Sequence, residues 1–219
     1  MSAARPAATV LLLRPSADGP EVLMLRRSGR SGFFPDAWVF PGGRVEPGDA
    51  ALPHTGGVDG LDEPRWAVAA LRETFEEAGI WLGAGAPDAD LRDRLNQRQG
   101  SLSEAPGLVA DLSRVDWVAW WVTPEAEPKR YDTRFFLVEV TRAEVAGATP
   151  CHVETVQSRW IRPVDAVAAQ ARGELFLAPP TLRVLEELVV RAPSLALPLY
   201  TACCCGPCLS PVGDQSSSN

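Results

Sequence analysis

The sequence predicts an α/β protein of the α+β kind, in which a mixed β-sheet lies between helices as an α-β-α sandwich. Two observations carry this prediction. The 219 residues are 46% hydrophobic and 22% charged, which is the usage of a folded domain with a sizeable core. Along the chain, short apolar runs come first, then one long helical pattern, then further runs and finally two helical patterns. That order is typical of a sheet covered by helices.

The N-terminal part of the chain is predicted to form a β-hairpin followed by irregular loops. The apolar runs 8–14 and 21–27 are separated by the turn-forming residues 16–20. Further on, residues 47–62 contain two prolines and four glycines. We expect them to form a loop without regular structure, because these residue types interrupt helices and strands.

A long helix is predicted after this loop. Pro64 suits the first turn of a helix, with Asp62 or Glu63 as the cap. The helical pattern runs to Ala78, and Gly79 is a natural left-handed terminator. The helix is therefore expected to end at Ala78.

The second half of the chain is predicted to contain an insertion, three strands, two closing helices and a tail. The insertion, 82–112, is expected to form polar surface helices at 88–98 and 103–112. Strands are predicted at 115–122, 133–140 and 153–161, and helices at 163–171 and 180–191. Residues 1–193 are thus predicted to be one domain with a further insert at 50–63, and 194–219 a flexible tail rich in Cys and Ser.

The charge balance narrows the classes of partner. Asp and Glu number 28 against 21 Lys and Arg, which gives a net charge of −7. Nucleic acids and anionic membranes are bound through basic surfaces, so we expect neither as a partner. If an acidic chain handles phosphates, a divalent cation is the obvious means of holding them.

Cysteine usage and the N-terminal segment predict a cytoplasmic location. Of five cysteines, Cys151 stands alone and the other four lie between 203 and 208, an odd count that makes no disulfide framework. The apolar run 8–13 is too short for a signal peptide or a membrane span. A reducing compartment is therefore expected.

Three glutamates mark one face of the predicted helix. Glu73, Glu76 and Glu77 are spaced i, i+3 and i+4, opposite the apolar arc that contains Leu71 and Phe75. The alternative is an ordinary solvated acidic face. However, like charges at this spacing repel, and the C-terminal end of a helix disfavours anions. A divalent cation would relieve both effects, which favours a metal site.

The motif around these glutamates resembles the Nudix box. Residues 72–80, Arg-Glu-Thr-Phe-Glu-Glu-Ala-Gly-Ile, are similar to its second half, and Gly43 stands where the first half begins. Two features differ from the usual Nudix box. Asp49 stands where a glutamate is usual. The segment between Asp49 and Arg72, residues 50–71, is 22 residues long. A box with such an insert resembles the subgroup that includes the peroxisomal acyl-CoA diphosphatase. Segments 32–43, 130–137 and 177–180 extend that resemblance.

The resemblance implies a Nudix fold, an activity and a set of site residues. Nudix enzymes hydrolyse diphosphate bonds with Mg²⁺ or Mn²⁺. The implied metal site consists of Glu73, Glu76, Glu77 and Gly43. The implied catalytic residues are Glu73, Glu76, Arg72 and Glu154. Arg72 would orient a glutamate, and Glu154 would be a further ligand or the base, its alternative being a surface position on a strand. The role of Asp49 is left open.

The substrate is expected to be a small nucleoside diphosphate derivative. Arginines offer bidentate donors to phosphate, and the candidates are Arg27, Arg44, Arg130 and Arg134, with Arg27 and Arg134 first. A partial match to a coenzyme A signature upstream of Gly43 implies CoA or acyl-CoA. The alternatives are ADP-ribose, NADH, a dinucleoside polyphosphate or an oxidised nucleotide, or a Nudix ligand sensor without activity. A homodimer is also left open.

Overall fold

A computed structural model of the chain describes residues 3–191 and the backbone of 200–202. Within these residues the main sheet has eight strands, and three more form a small second sheet. The main-sheet strands are β1 (Arg5–Arg14), β2 (Glu21–Arg27), β3 (Trp38–Val39), β4 (Gly42–Arg44), β8 (Asp116–Val122), β9 (Tyr131–Glu139), β10 (Thr155–Ile161) and β11 (Tyr200–Ala202). The second sheet is made of β5 (His54–Thr55), β6 (Gly83–Ala84) and β7 (Val109–Asp111).

The main sheet is mixed, as predicted. Its strand order is β10-β2-β1-β9-β8-β11, with β3 added to β2 and β4 added to β1. β1 runs parallel to β9 along almost its whole length and antiparallel to its other two neighbours. Those two neighbours share one side of β1, β4 beside residues 7–9 and β2 beside residues 13–14.

Helices cover both faces of this sheet, which confirms the α-β-α sandwich. The helices are α1 (Arg65–Ala78), α2 (Leu91–Asn96), α3 (Pro163–Ala171) and α4 (Pro179–Arg191). Side chains alternate along β1, so Val10 and Leu12 are buried in the core with α1, while Leu11 and Leu13 are buried in the core with α3 and α4.

Helix α1 ends as predicted but begins differently. Gly79 has φ 72° and donates its N–H to the carbonyl of Phe75, the expected left-handed termination. At the other end Pro64 itself is the N-cap, and no side chain caps the helix. The prediction of Asp62 or Glu63 as the cap is therefore wrong.

The two inserts come together in the small second sheet, which corrects two predictions. Residues 47–62, expected to lack regular structure, contain a 3-10 helix over Pro47–Ala50 and strand β5. Residues 103–112, expected to be helical, contain β7, which lies between β5 and β6. Leu108, Ala110 and Leu112 are buried at alternate positions, and this period of two is that of a strand.

No helix in the described part of the chain is long and apolar enough to cross a membrane. The predicted tail lies outside the described residues, apart from the backbone of β11, which pairs in parallel with β8. The four cysteines between 203 and 208 lie outside them as well.

Candidate active site

A cleft of about 650 Å³ lies on the face of the sheet that also carries α4. Its floor consists of alternate residues of the two central strands, Arg5, Ala7 and Thr9 on β1 and Tyr131, Thr133 and Phe135 on β9. Because β1 and β9 are paired in parallel, each floor residue of one strand lies opposite a floor residue of the other.

The three glutamates of α1 line this cleft together. Glu77 accepts a hydrogen bond from the Gly42 N–H at 3.0 Å, which fixes the helix to β4. Gly43 faces Glu73 so closely that a Cβ at position 43 would overlap the Glu73 carboxylate. A glycine is therefore required at this position if the carboxylate is to keep its place.

Arg72 holds two of these carboxylates through hydrogen bonds. Its Nε and Nη2 donate to Asp49 at 2.7 and 3.3 Å, and its Nη1 donates to Glu73 at 3.0 Å and to Glu76 at 3.1 Å. Its Nη2 also donates to the carbonyl of Arg44 at 2.8 Å. The side chain of Asp49 is only 1% exposed and does not line the cleft. Asp49 is thus the partner that orients Arg72.

Burial makes the glutamates hard to ionise. Burial raises the pKa of Glu73, and the charges of Glu76 and Glu154 add to this, although Arg72 opposes it. The pKa of Glu77 is raised well above its usual value by burial and by the charge of Glu73. Carboxylates crowded in this way gain from a positive charge placed between them.

The donor set fits a divalent cation. Glu73, Glu76, Glu77 and Glu154 offer the hard oxygen ligands that Mg²⁺ and Mn²⁺ prefer, and all four line the cleft. In their present rotamers the described residues form no group of three or more Asp, Glu, His or Cys side chains that could hold a metal ion. Arg72 donates to only one oxygen of Glu73 and one of Glu76, so the second oxygen of each carboxylate is not held by Arg72.

Two of the four predicted phosphate contacts, Arg27 and Arg44, lie in the cleft. Arg27 donates to the Ser31 hydroxyl at 2.8 Å, and its charge lowers the pKa of Glu77 against the effect of burial. Glu154 lines the cleft just before β10, and its charge raises the pKa values of Glu73 and Glu77.

The other two predicted contacts, Arg134 and Arg130, do not line the cleft. Strand alternation directs Arg134 to the α1 side of the sheet, where its guanidinium lies 4.0 to 5.0 Å from the ring centres of Trp66, Trp117 and Trp120. Arg130 donates to the carbonyl of Thr123 at 3.1 Å.

Several cleft residues were not identified from the sequence. An aromatic wall is formed by Phe33, Phe34 and Trp121, and the ring centre of Phe33 lies 5.3 Å from that of the floor residue Tyr131. Arg5 also faces the cleft. The signal that could have identified it is the period of two along β1, which puts residue 5 on the same face as residues 7 and 9.

An α-β-α sandwich whose long helix presents this glutamate motif to a cleft is the arrangement of a Nudix hydrolase. The crystal structure of a NUDIX hydrolase from Alicyclobacillus acidocaldarius is 32% identical in sequence, with a TM-score of 0.73 over 87% of this chain and 93% of that one. Residues 62–188 match the family model described as the NUDT19 Nudix domain. The chain belongs to this family of Nudix hydrolases.

Curated relatives agree with the family. The chain is 30% identical to the acyl-coenzyme A diphosphatase NUDT19 of Gallus gallus, covering 84% of this chain and 68% of the relative. It is 26% identical to the Homo sapiens protein of that name, over 80% of this chain and 62% of the relative. The chain spans between 55% and 68% of the length of four curated relatives. Nudix hydrolases generally use a divalent metal and act on small nucleotide derivatives.

Proposed function

We propose that this protein hydrolyses the diphosphate bond of coenzyme A or acyl-CoA, giving 3′,5′-ADP and phosphopantetheine or its acyl form, with Mg²⁺ or Mn²⁺. The observation that carries the proposal is the meeting, in one cleft, of the three glutamates of α1 with Arg27 and Arg44. The names of the NUDT19 relatives support coenzyme A as the substrate.

The glutamates and the arginines have separate tasks in this reaction. Glu73, Glu76 and Glu77 would hold the divalent ion, which when bound neutralises diphosphate oxygens and lowers the pKa of water. Arg72 keeps Glu73 and Glu76 in place through charge-assisted hydrogen bonds. Arg27 would bind diphosphate oxygens, since its guanidinium can donate two parallel hydrogen bonds to a phosphate.

The chemical step exchanges one phosphorus–oxygen bond for another. The oxygen of a water molecule bonds to one phosphorus of the diphosphate, and the bond from that phosphorus to the bridging oxygen breaks. Glu154 is exposed on the cleft wall and would accept the proton of the water. The bridging oxygen leaves with the second phosphate, so both products end in phosphate groups.

The aromatic wall supports a nucleotide rather than a simple diphosphate as the substrate. Phe33 and Phe34 lie with ring centres 4.4 Å apart, and Phe33 also contacts Tyr131. Aromatic rings stack on nucleobases, with a gain of about 1–3 kcal/mol for each base. A cleft that combines such a wall with carboxylates and arginines matches a molecule that joins a base to a diphosphate.

The activity can be tested with a substrate panel and one substitution. We expect the purified protein with Mg²⁺ or Mn²⁺ to release 3′,5′-ADP from CoA faster than it cleaves ADP-ribose, NADH or a dinucleoside polyphosphate. Glu77→Gln should lower turnover at least about 100-fold, because a metal ligand is lost, with an unchanged circular dichroism spectrum. Glu63→Gln, at an exposed carboxylate just before α1, is the matched control.

Other results would identify a different function. Cleavage of ADP-ribose without cleavage of CoA would disprove the substrate. Full activity of Glu77→Gln would show that the metal lies elsewhere. Binding of the panel compounds without any turnover would indicate a ligand sensor.

A further inference from the structure

Two arginines that line the cleft have not been assigned to a particular part of the substrate. Arg5 on β1 and Arg44 on β4 both line the cleft, and both are exposed. Among the described residues neither side chain has a hydrogen-bond or ion-pair partner, whereas Arg14 and Arg114, for example, each pair with a glutamate. Glu46 lines the same cleft without an ion pair to either of them.

The sheet register brings these two arginines together. Arg44 lies opposite Ala7, and Arg5 is two residues before Ala7 on the same face of β1. Residues in this diagonal relation are about 7–8 Å apart, so two long side chains can meet above the floor. Ala7 has a small side chain, which leaves space between them. Two guanidinium groups that come close together repel each other, and an anion between them removes this repulsion.

The position of Arg44 on β4 links the two arginines to the glutamates of α1. Arg44 directly follows Gly43, the residue against the Glu73 carboxylate, and its carbonyl accepts a hydrogen bond from Arg72. An anion bound by Arg5 and Arg44 would therefore lie in the same cleft as the metal site, beginning one residue along β4 from Gly43. In coenzyme A the 3′-phosphate and the diphosphate are carried by one ribose, so a second phosphate lies next to the bond that is cleaved.

We infer that Arg5 and Arg44 form an anion subsite that receives the 3′-phosphate of coenzyme A, an inference that rests on the proposed function. This subsite would select CoA and acyl-CoA against nucleotides that carry only a diphosphate. Arg27, which lines the cleft from β2, remains the residue proposed to bind the diphosphate.

Coenzyme A and 3′-dephospho-coenzyme A test the subsite, because they differ only in that phosphate. We expect the wild-type protein to have a kcat/KM for CoA at least tenfold above that for dephospho-CoA. In the double variant Arg5→Gln/Arg44→Gln this ratio should fall toward one. The variant keeps the main-chain carbonyl of residue 44, which accepts a hydrogen bond from the Arg72 side chain. Arg142→Gln, at an exposed arginine outside the cleft, should keep the wild-type ratio.

A binding measurement separates this inference from the proposed function. By calorimetry, 3′,5′-ADP should bind to the wild type more tightly than 5′-AMP, and the difference should disappear in the double variant. If neither CoA nor dephospho-CoA is cleaved but this difference is found, the proposed function fails and the subsite stands. Equal affinity of the wild type for the two nucleotides, or equal cleavage of CoA and dephospho-CoA, would overturn the subsite.

Discussion

One guanidinium group, that of Arg72, decides how the carboxylates face the cleft. Two of its nitrogens are engaged by the buried Asp49, which leaves Nη1 directed at Glu73 and Glu76. Burial disfavours the charged form of Arg72. The negative charges of Glu73, Asp49 and Glu76 outweigh this effect and raise the pKa of Arg72. A lysine could not reproduce this arrangement, because its ammonium group lacks the planar fork of donors.

The close contact between Gly43 and the Glu73 carboxylate predicts that adding one methyl group at position 43 impairs the enzyme. Gly43→Ala places a Cβ on the Glu73 carboxylate, so we expect at least a tenfold loss of kcat and weaker activation by Mg²⁺. Gly57→Ala is the matched control, since a Cβ there meets no atom within 4 Å. Equal kinetics of the two variants would show that Glu73 can move aside without loss.

The site residues differ in how far the sequence could predict them. The glutamates of α1 were predictable because their spacing is local to one helix. The face of Arg134 was not, because it depends on how β9 pairs with β1, and a shift of one residue reverses every side chain. The partner of Asp49 likewise depends on a contact made across a long insert.

At the level of elements, the inserts support the helix that carries the site. Arg92 on α2 donates to the carbonyls of Glu76 and Glu77 at 2.9 and 2.8 Å and to that of Thr149 at 2.7 Å. Asn96 donates to the Glu76 carbonyl at 3.1 Å. These donors satisfy the free carbonyls at the end of α1, and the cation offsets the unfavourable position of glutamates there.

Removal of this cap should destabilise the protein. We expect Arg92→Ala to lower the free energy of unfolding by about 2–3 kcal/mol, since hydrogen bonds from a charged group to several carbonyls are lost. Urea denaturation followed by circular dichroism measures the change. Arg94→Ala, on the same helix but in an exposed pair with Asp88, should lower the free energy of unfolding by much less. Equal losses in the two variants would contradict a capping role for Arg92.

Elements with a long local pattern were predictable, and short ones built from distant partners were not. The helix 163–171 was predicted with the bounds that the structure has, because proline begins it and apolar residues follow at helical spacing. Strand β7 was missed because its alternation of Leu108, Ala110 and Leu112 lies in a polar segment. Its two partners, β5 and β6, come from elsewhere in the inserts.

At the level of the whole molecule, the active-site carboxylates lower the stability of the fold. Glu77 is 3% exposed and lies near the charges of Glu73 and Glu154. Buried like charges are unfavourable unless a cation compensates them. A divalent ion that binds only the folded state also stabilises it by mass action, by about 2.7 kcal/mol at 100 times its dissociation constant.

Thermal unfolding should therefore depend on the metal. We expect Mg²⁺ at saturation to raise the Tm of the wild type by about 5–10 °C, since 1 kcal/mol corresponds to about 2–4 °C at this size. Glu77→Gln should have a higher Tm than the wild type without the metal and a smaller increase with it. Sodium chloride at equal ionic strength is the control. The same increase in both proteins would exclude Glu77 as a ligand.

The parallel pairing of β1 with β9 has a consequence for synthesis on the ribosome. The two strands that form the cleft floor are separated in sequence by most of the domain. At a synthesis rate of about 5–20 residues per second, β9 is made roughly ten seconds after β1. During that interval only β2 and β4 can pair with it, and its other edge, including the apolar residues 10–13, is open to pairing with other chains. The nascent chain is thus most prone to aggregate before residue 139 has emerged.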